Sequence, residues 1–339
     1  MIGPGFPCFI IAEAGVNHNG ELLLAKKLVD VAVAAHADAV KFQTFTAEGV
    51  VTDSTEISDY AKGNTGKNIK QIDMLKQYEL HNDEFKILKE YCDKNNIIFL
   101  SSPHSFDAID FLQDLVPAYK FGSGDLTNIP ALQYAAKKNK PLILGTGMAT
   151  LEEVKQAIHA ITSVGNNQII TLHCTTSYPC SYEDVNLRAM TTMQQEPSCL
   201  IGYSDHTLGI LVPLLAVTLG ATVIEKHITL DKQLTGPDHK ASLEPEEFAE
   251  MITQIRNVEK ILGSTEKKPT NSEKSVIENL RKSIVAGQNI KKDAIIKKEM
   301  LMIKRPGSGI SPADIEKVLG KKTKKDITID EILQWDMVE

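Results

Sequence analysis

The stretch TVIEKHITLDKQLTGPDHK, residues 222–240, starts as an apolar strand and then sets Glu225, Lys226 and His227 in a row. A strand that finishes in a hydrophobic core has no use for a carboxylate, an ammonium and an imidazole together. The run LIGYSDHT before it ends the same way, in Ser204, Asp205 and His206. If these strands are neighbours, the imidazoles of His206 and His227 can share a divalent metal. Two nitrogens, completed by water and substrate oxygens, make an open Lewis-acidic site. The plainer alternative is that one histidine orients the other or caps a carbonyl. Lys41 in DAVKFQT and Lys120 in AYKFGSG also emerge from apolar runs, beside hydroxyls and glycine-rich turns. Such a set suits a phosphate or carboxylate, while Lys120 could equally form a Schiff base. The residues by themselves leave both roles open.

The elements that must position these groups follow one design. CFIIAEAG (8–15), DAVKFQT (38–44), IIFLSSP (97–103), AYKFGSG (118–124), PLILGTG (141–147), IITLHCTTSYP (169–179), LIGYSDHT (200–207) and TVIEKHIT (222–229) each open aliphatic and close polar. Continuous rather than alternating apolar runs indicate strands buried on both faces of a parallel sheet. Helical periodicity fills the intervals. Residues 21–37 place Leu24, Leu28, Val31 and Ala35 on one stripe, and 150–165 open with a Thr150/Glu153 capping box. Eight such alternations imply a (β/α)₈ TIM barrel over residues 1–263, whose active site lies at the C-terminal strand ends. No G-x-G-x-x-G supports an open dinucleotide-binding sheet. Residues 264–280, polar and lysine-rich, read as a linker. Residues 281–339, with short strands and tight turns, read as a small second domain.

Across the eight strands, the C-terminal positions collect Glu13, Gln43, Ser101, Ser102, Ser123, His173, Thr176, Tyr178 and Asp205 in addition to the residues above. One such residue is ordinarily a satisfied hydrogen bond. A ring of them is not what a stability requirement would select. Lys226 is expected to face away from the ring by strand alternation, and His239 to serve the loop.

Composition narrows the partners. The 339 residues are 42% hydrophobic and 24% charged, with net charge −7. No basic stripe suggests nucleic acid, and no apolar run is long enough for a membrane span or signal peptide. Five scattered cysteines without a C-x-x-C pair point to a reduced, cytoplasmic protein.

IAEAGVNHNG, VKFQTF, FLSSP, YKFGSGDLTNIP, GTGMATLEEV, LHCTTSYP, GYSDHTLG, EKHITLDKQLTGPDHKASLEP and IKRPGSG, in this order and over nearly the whole chain, resemble the bacterial sialic acid (N-acetylneuraminate) synthases. That family includes the legionaminic acid synthases. The resemblance implies condensation of phosphoenolpyruvate with N-acetylmannosamine to give N-acetylneuraminate and phosphate, with C–O cleavage. It implies a TIM barrel followed by a SAF (type III antifreeze-like) domain in a domain-swapped homodimer. His206 and His227 match the metal ligands, with Mn²⁺ first and Mg²⁺ or Co²⁺ as alternatives. Lys41, Ser102, Lys120, Ser123, Thr176 and Ser204 match phosphoenolpyruvate positions, which turns Lys120 away from Schiff-base chemistry. Glu13, Gln43, Tyr178, Asp238 and Arg305 match sugar positions. Glu13, Lys41, Glu225 and His206 are the expected catalytic residues, and Glu13 or Glu225 the expected proton handler. Two residues depart from the family pattern: Gly145 replaces a phosphate-contacting serine, and His104 a phenylalanine near the sugar. Within the resemblance, an N,N′-diacetyllegionaminate synthase using 2,4-diacetamido-2,4,6-trideoxymannose is the first alternative, for which His104 and segment 53–75 are the places to look. A pyruvate aldolase and a non-catalytic carbohydrate-binding protein are the others.

Overall fold

The aliphatic runs become eight strands: β1 (Phe9–Gly15), β2 (Ala39–Thr44), β3 (Ile98–Pro103), β4 (Tyr119–Phe121), β5 (Leu142–Gly145), β6 (Ile169–His173), β7 (Leu200–Asp205) and β8 (Val223–His227). They are seen in a computed structural model that describes residues 1–56, 70–196 and 199–339. Of the segment 53–75, residues 57–69 fall outside the described part. All ladders are parallel, in the order β3-β2-β1-β8-β7-β6-β5-β4. β3 and β4, the ends of that order, also lie against each other. The result is the expected (β/α)₈ barrel, nearly closed.

Because strand side chains alternate between two faces, each run splits into an inner and an outer set. Inside, Ile11, Ala39, Leu100, Ile143, Ile170, Leu172 and Val223 pack into one plug, with Phe9, Ala118 and Leu200 against it. Outside, Ile10, Val40, Phe42, Phe99, Tyr119, Leu144, Ile201, Tyr203 and Ile224 pack under the helices. The plug fills the N-terminal half of the barrel, and polar residues are left for the other half.

The helices follow the expected intervals. Leu151–Thr162 carries the Thr150/Glu153 capping box. Leu22–Ala34 is buried through Ala25, Leu28, Val29 and Ala32. That stripe is rotated from the expected Leu24-Leu28-Val31-Ala35 face, because alanines allow the helix closer to the sheet than leucines do. No helix among the described residues is long and apolar enough to cross a membrane.

Met1–Gly263 and Ser264–Glu339 are two compact units. In the second, β9 (Ser283–Ala286) pairs antiparallel with β10 (Leu301–Lys304) over a core including Ile284, Ile290, Ile310, Ile327 and Leu333. The stretch 264–280 is more ordered than a linker. A helix runs over Asn271–Leu280, started by Thr270, whose hydroxyl accepts from Glu273 N while Glu273 accepts from Thr270 N. This capping box compensates for a polar sequence with no buried residue in the helix.

Candidate active site

Continuing the inner set past the plug gives the site by arithmetic. Ile11 is followed inward by Glu13, Ala39 by Lys41 and Gln43, Leu100 by Ser102, and Ala118 by Lys120. Leu172 is followed by Cys174, Leu200 by Gly202, Ser204 and His206, and Val223 by Glu225 and His227. The inward side chains among these, apart from the plug, line one cavity of about 250 Å³ together with Ser123, His104, Gly145, Tyr178 and Asp238. Of the residues singled out from sequence, the cavity gathers Glu13, Lys41, Gln43, Ser102, Lys120, Ser123, Tyr178, Ser204, His206, Glu225, His227 and Asp238.

Its base is a charge network. Lys41 Nζ lies 2.7 Å from Glu13 Oε2 and 3.8 Å from Glu225 Oε2, and donates to Ser102 Oγ at 3.2 Å. Lys120 Nζ lies 3.3 Å from Glu225 Oε1, which also accepts from Ser204 Oγ at 2.9 Å. Gln43 Nε2 donates to Glu13 Oε1 at 3.0 Å. Two carboxylates and two ammoniums thus balance while buried, which is how buried charges are tolerated. They do not titrate alike. Burial would lift Glu225, but Lys120 and Lys41 outweigh it and hold the carboxyl down to about 2. Glu13 is raised, by burial and by Glu225, against the opposing pull of Lys41. Burial would weaken the Lys41 ammonium, yet Glu13 and Glu225 more than restore it. Asp238 is lifted to about 7 by burial and by Glu13.

The two imidazoles line the same cavity, ring centres 5.5 Å apart, with His227 opposite Glu13 in the β1–β8 register. The Tyr178 ring is 4.2 Å from that of His206 and 5.8 Å, edge-on, from that of His227. His206 Nδ1 is 2.7 Å from the Thr175 carbonyl. A carbonyl only accepts, so Nδ1 carries the proton and Nε2 keeps its lone pair. His227 Nδ1 is buried without a hydrogen bond, with Asp238 Oδ2 3.7 Å away. Burial lowers His206; burial, then His206 and Lys41, lower His227 further. Both rings are therefore neutral donors. Among the described residues no group of three or more His, Cys, Asp or Glu side chains could hold a metal ion, so these two nitrogens would need oxygen ligands from outside the chain.

Five buried polar side-chain atoms lack a hydrogen-bond partner among the described residues, and four of them belong to the cavity: Glu13 Oε2, Glu225 Oε2, His227 Nδ1 and His104 Nε2. Glu13 Oε2 has Lys41 at ion-pairing distance but poorly aligned. Buried polar atoms are ordinarily paired, so four such atoms in one cavity leave bonding capacity there for a ligand or water.

Other expected residues lie elsewhere. Thr176 is exposed, with Oγ1 against Gly147 beside the cavity rather than lining it. Arg305 belongs to the second unit, exposed, just after β10. Ser101, His173 and Asp205 have outward parity. Ser101 bonds Thr44 Oγ1, His173 the Val185 carbonyl and Asp205 Lys226. Lys226 faces away from the cavity as expected, yet into the helix layer, wholly buried. His239 is structural, between Thr229 Oγ1 at 2.7 Å and Asn19 Oδ1 at 3.2 Å. Cys174, absent from the expected ring, lines the cavity with Sγ 3.1 Å from Ser123 Oγ. Strand alternation from Ile170 and Leu172 would have found it. Gly145 is needed as glycine here: a Cβ would sit 3.0 Å from Ser123 Oγ and 3.1 Å from Ser123 N. Gln71, Met74 and Leu75, from the helix Gln71–Leu75, also reach the cavity; they belong to the segment 53–75 singled out for sugar choice.

Residues 28–267 match the NeuB family and residues 281–339 the SAF domain. The N,N′-diacetyllegionaminic acid synthase of Legionella pneumophila is 46% identical over 99% of this chain and 96% of its own. The protein of the same name from Campylobacter jejuni is 44% identical over 96% of this chain and 98% of its own. The crystal structure of the N-acetylneuraminic acid (sialic acid) synthetase of Leptospira borgpetersenii, in complex with citrate, is 38% identical. It superposes with a TM-score of 0.72 over 82% of this chain and 92% of its own.

Proposed function

The chain belongs to the NeuB family, and from that premise we propose that it is a nonulosonate synthase joining phosphoenolpyruvate to the aldehyde of an N-acetylated amino sugar. The observation that carries the reading is that one cavity is lined by Lys41 and Lys120, with Ser102 and Ser123, and by the paired imidazoles of His206 and His227. The ammonium and hydroxyl groups suit a multiply charged oxyanion, and the imidazoles suit a divalent cation.

Lys41 and Lys120 exchange their contacts with Glu13 and Glu225 for the phosphate and carboxylate of phosphoenolpyruvate, so the ligand enters a set of charges already in place. Ser102, Ser123 and Ser204 add hydroxyl donors beside them, and Thr176 and the Gly147 backbone border the same corner. Gln43, Tyr178 and Asp238 orient the sugar. A divalent cation, Mn²⁺ first among the candidates, fits two neutral imidazoles, His206 with its Nε2 lone pair free and His227 with Nδ1 unpartnered. When bound there by His206 and His227, it supplies Lewis acidity to the aldehyde oxygen. Held in contact, C3 of phosphoenolpyruvate attacks the aldehyde carbon; water adds at C2, and phosphate departs with its bridging oxygen. Much of the acceleration is positioning. Of the two carboxylates, Glu13 suits the proton transfers, since burial keeps its proton affinity high, whereas before substrate enters Glu225 is held in the charged form by two ammoniums.

Two aldehydes compete. The relatives at 44–46% identity carry the name N,N′-diacetyllegionaminic acid synthase. That favours 2,4-diacetamido-2,4,6-trideoxymannose over N-acetylmannosamine and reverses the order implied by the motifs. Each sugar is to be incubated with phosphoenolpyruvate and the nine- carbon product identified by mass. Product from the diacetamido sugar alone supports the first choice, product from N-acetylmannosamine alone the second, and silence with both rejects the synthase reading. By family resemblance, the SAF domain of one protomer caps the barrel of another and lends Arg305 to the sugar. Sedimentation reporting a monomer would remove that part.

A further inference from the structure

Asp205 and Lys226 are opposite each other in the β7–β8 register, and both side chains are completely buried on the outer face of the barrel. A buried ion pair is a poor stabiliser, because desolvating two charges consumes most of their attraction. Its placement suggests another use. Asp205 immediately precedes His206, and Lys226 immediately precedes His227.

The pair reaches around His206 from both sides. Lys226 Nζ donates to Asp205 Oδ2 at 2.5 Å and also to the Thr207 carbonyl. Asp205 Oδ1 accepts from Thr207 N at 3.1 Å, Thr207 Oγ1 at 2.9 Å and Tyr203 Oη at 3.1 Å. The residues before and after His206 are thus tied to each other and to β8. On the inner side, Thr175 O holds the His206 ring and Cys180 N donates to the His206 carbonyl at 2.9 Å. β7 stops at Asp205 and β8 at His227, so beyond these points the sheet ladder no longer fixes the spacing.

We propose that Asp205 and Lys226 are positioning residues that clamp the ends of β7 and β8 from behind, setting the separation of the His206 and His227 imidazoles and thereby the metal affinity of the site. Neither touches substrate or metal. The inference rests on the two-histidine metal reading above.

The test is Mn²⁺ binding, followed through the electron paramagnetic resonance signal of the free aqueous ion, alongside phosphoenolpyruvate affinity measured without metal. The variant is Asp205→Asn/Lys226→Met, which removes both charges and so avoids an uncompensated buried ion. The clamp predicts a folded protein whose Mn²⁺ affinity falls tenfold or more, as removal of supporting groups behind ligands typically does, with phosphoenolpyruvate affinity within twofold of wild type. Mn²⁺ affinity within twofold of wild type overturns the clamp, as does an equal fall in both affinities, which reports general loosening. If the double variant does not fold, Thr207→Val, which deletes one hydroxyl bond to Asp205, takes its place. A selective loss of Mn²⁺ affinity supports the clamp, and an unchanged affinity overturns it. Wild type that binds no Mn²⁺ instead refutes the metal reading itself.

Discussion

Lys120 Nζ lies 3.3 Å from Glu225 Oε1 with both side chains buried, an ammonium–carboxylate pair that lines the cavity. A lysine paired with a carboxylate in this way is placed to meet an anion rather than to attack a carbonyl. It needs only to change partners. Lys120→Met should raise KM for phosphoenolpyruvate by about 10- to 100-fold, corresponding to about 1.5–3 kcal/mol for a hydrogen bond to a charged group. Borohydride with pyruvate or phosphoenolpyruvate should leave the wild-type mass unchanged. A trapped adduct at Lys120 would overturn the anion role.

Gly145 carries a second prediction. Its missing Cβ makes room for the Ser123 hydroxyl and backbone. Gly145→Ser should therefore displace Ser123 and weaken phosphoenolpyruvate binding several-fold, with little change in thermal stability. Tighter binding in that variant would mean that Ser123 is not the hydroxyl this chain relies on.

The paired imidazoles give a third. His227→Ala should abolish turnover, and added Mn²⁺ should not restore it, while phosphoenolpyruvate still binds through Lys41 and Lys120. Full turnover in this variant would remove the metal from the account.

His18 sets a pH dependence unconnected with catalysis. It is buried, its Nδ1 accepts from Gly20 N at 3.0 Å, and burial lowers its pKa to about 4 from the usual 6.5. The unfolded chain binds this proton more readily than the folded one, so stability is lost as pH falls from about 6.5 towards 4. At 1.36 kcal/mol per unit, the contribution is about 3 kcal/mol. Urea unfolding of His18→Asn, which keeps an acceptor for Gly20 N, should show a flatter decline across that window. An identical decline would assign the acid limb to other groups.

Much of this site was legible in the sequence because strand alternation is a strong constraint. Glu13, Lys41, Ser102, Lys120, Glu225 and His227 all fall on the parity set by Ile11, Ala39, Leu100, Ala118 and Val223. The misassignments break that rule. Ser101, His173 and Asp205 are polar residues at strand ends, but one position out of phase, and Cys174 has the right phase with an apolar name. The segment 53–75 was marked only by resemblance, and the strand pattern did not show that its helix Gln71–Leu75 reaches the cavity, since loop geometry depends on contacts that lie far apart in sequence. The helix Asn271–Leu280 was hidden by its polarity, although Thr270 and Glu273 spelled out its cap.

The central claim is that the barrel mouth joins two substrates and releases phosphate from the carbon side. It is tested most directly with phosphoenolpyruvate labelled by ¹⁸O at the bridging position. In the presence of the accepted sugar and Mn²⁺, the account predicts one phosphate released per carbon–carbon bond formed, with the label in that phosphate, and none released without the sugar or in excess chelator. Label retained in the sugar product, or phosphate released equally in the absence of sugar, would contradict it.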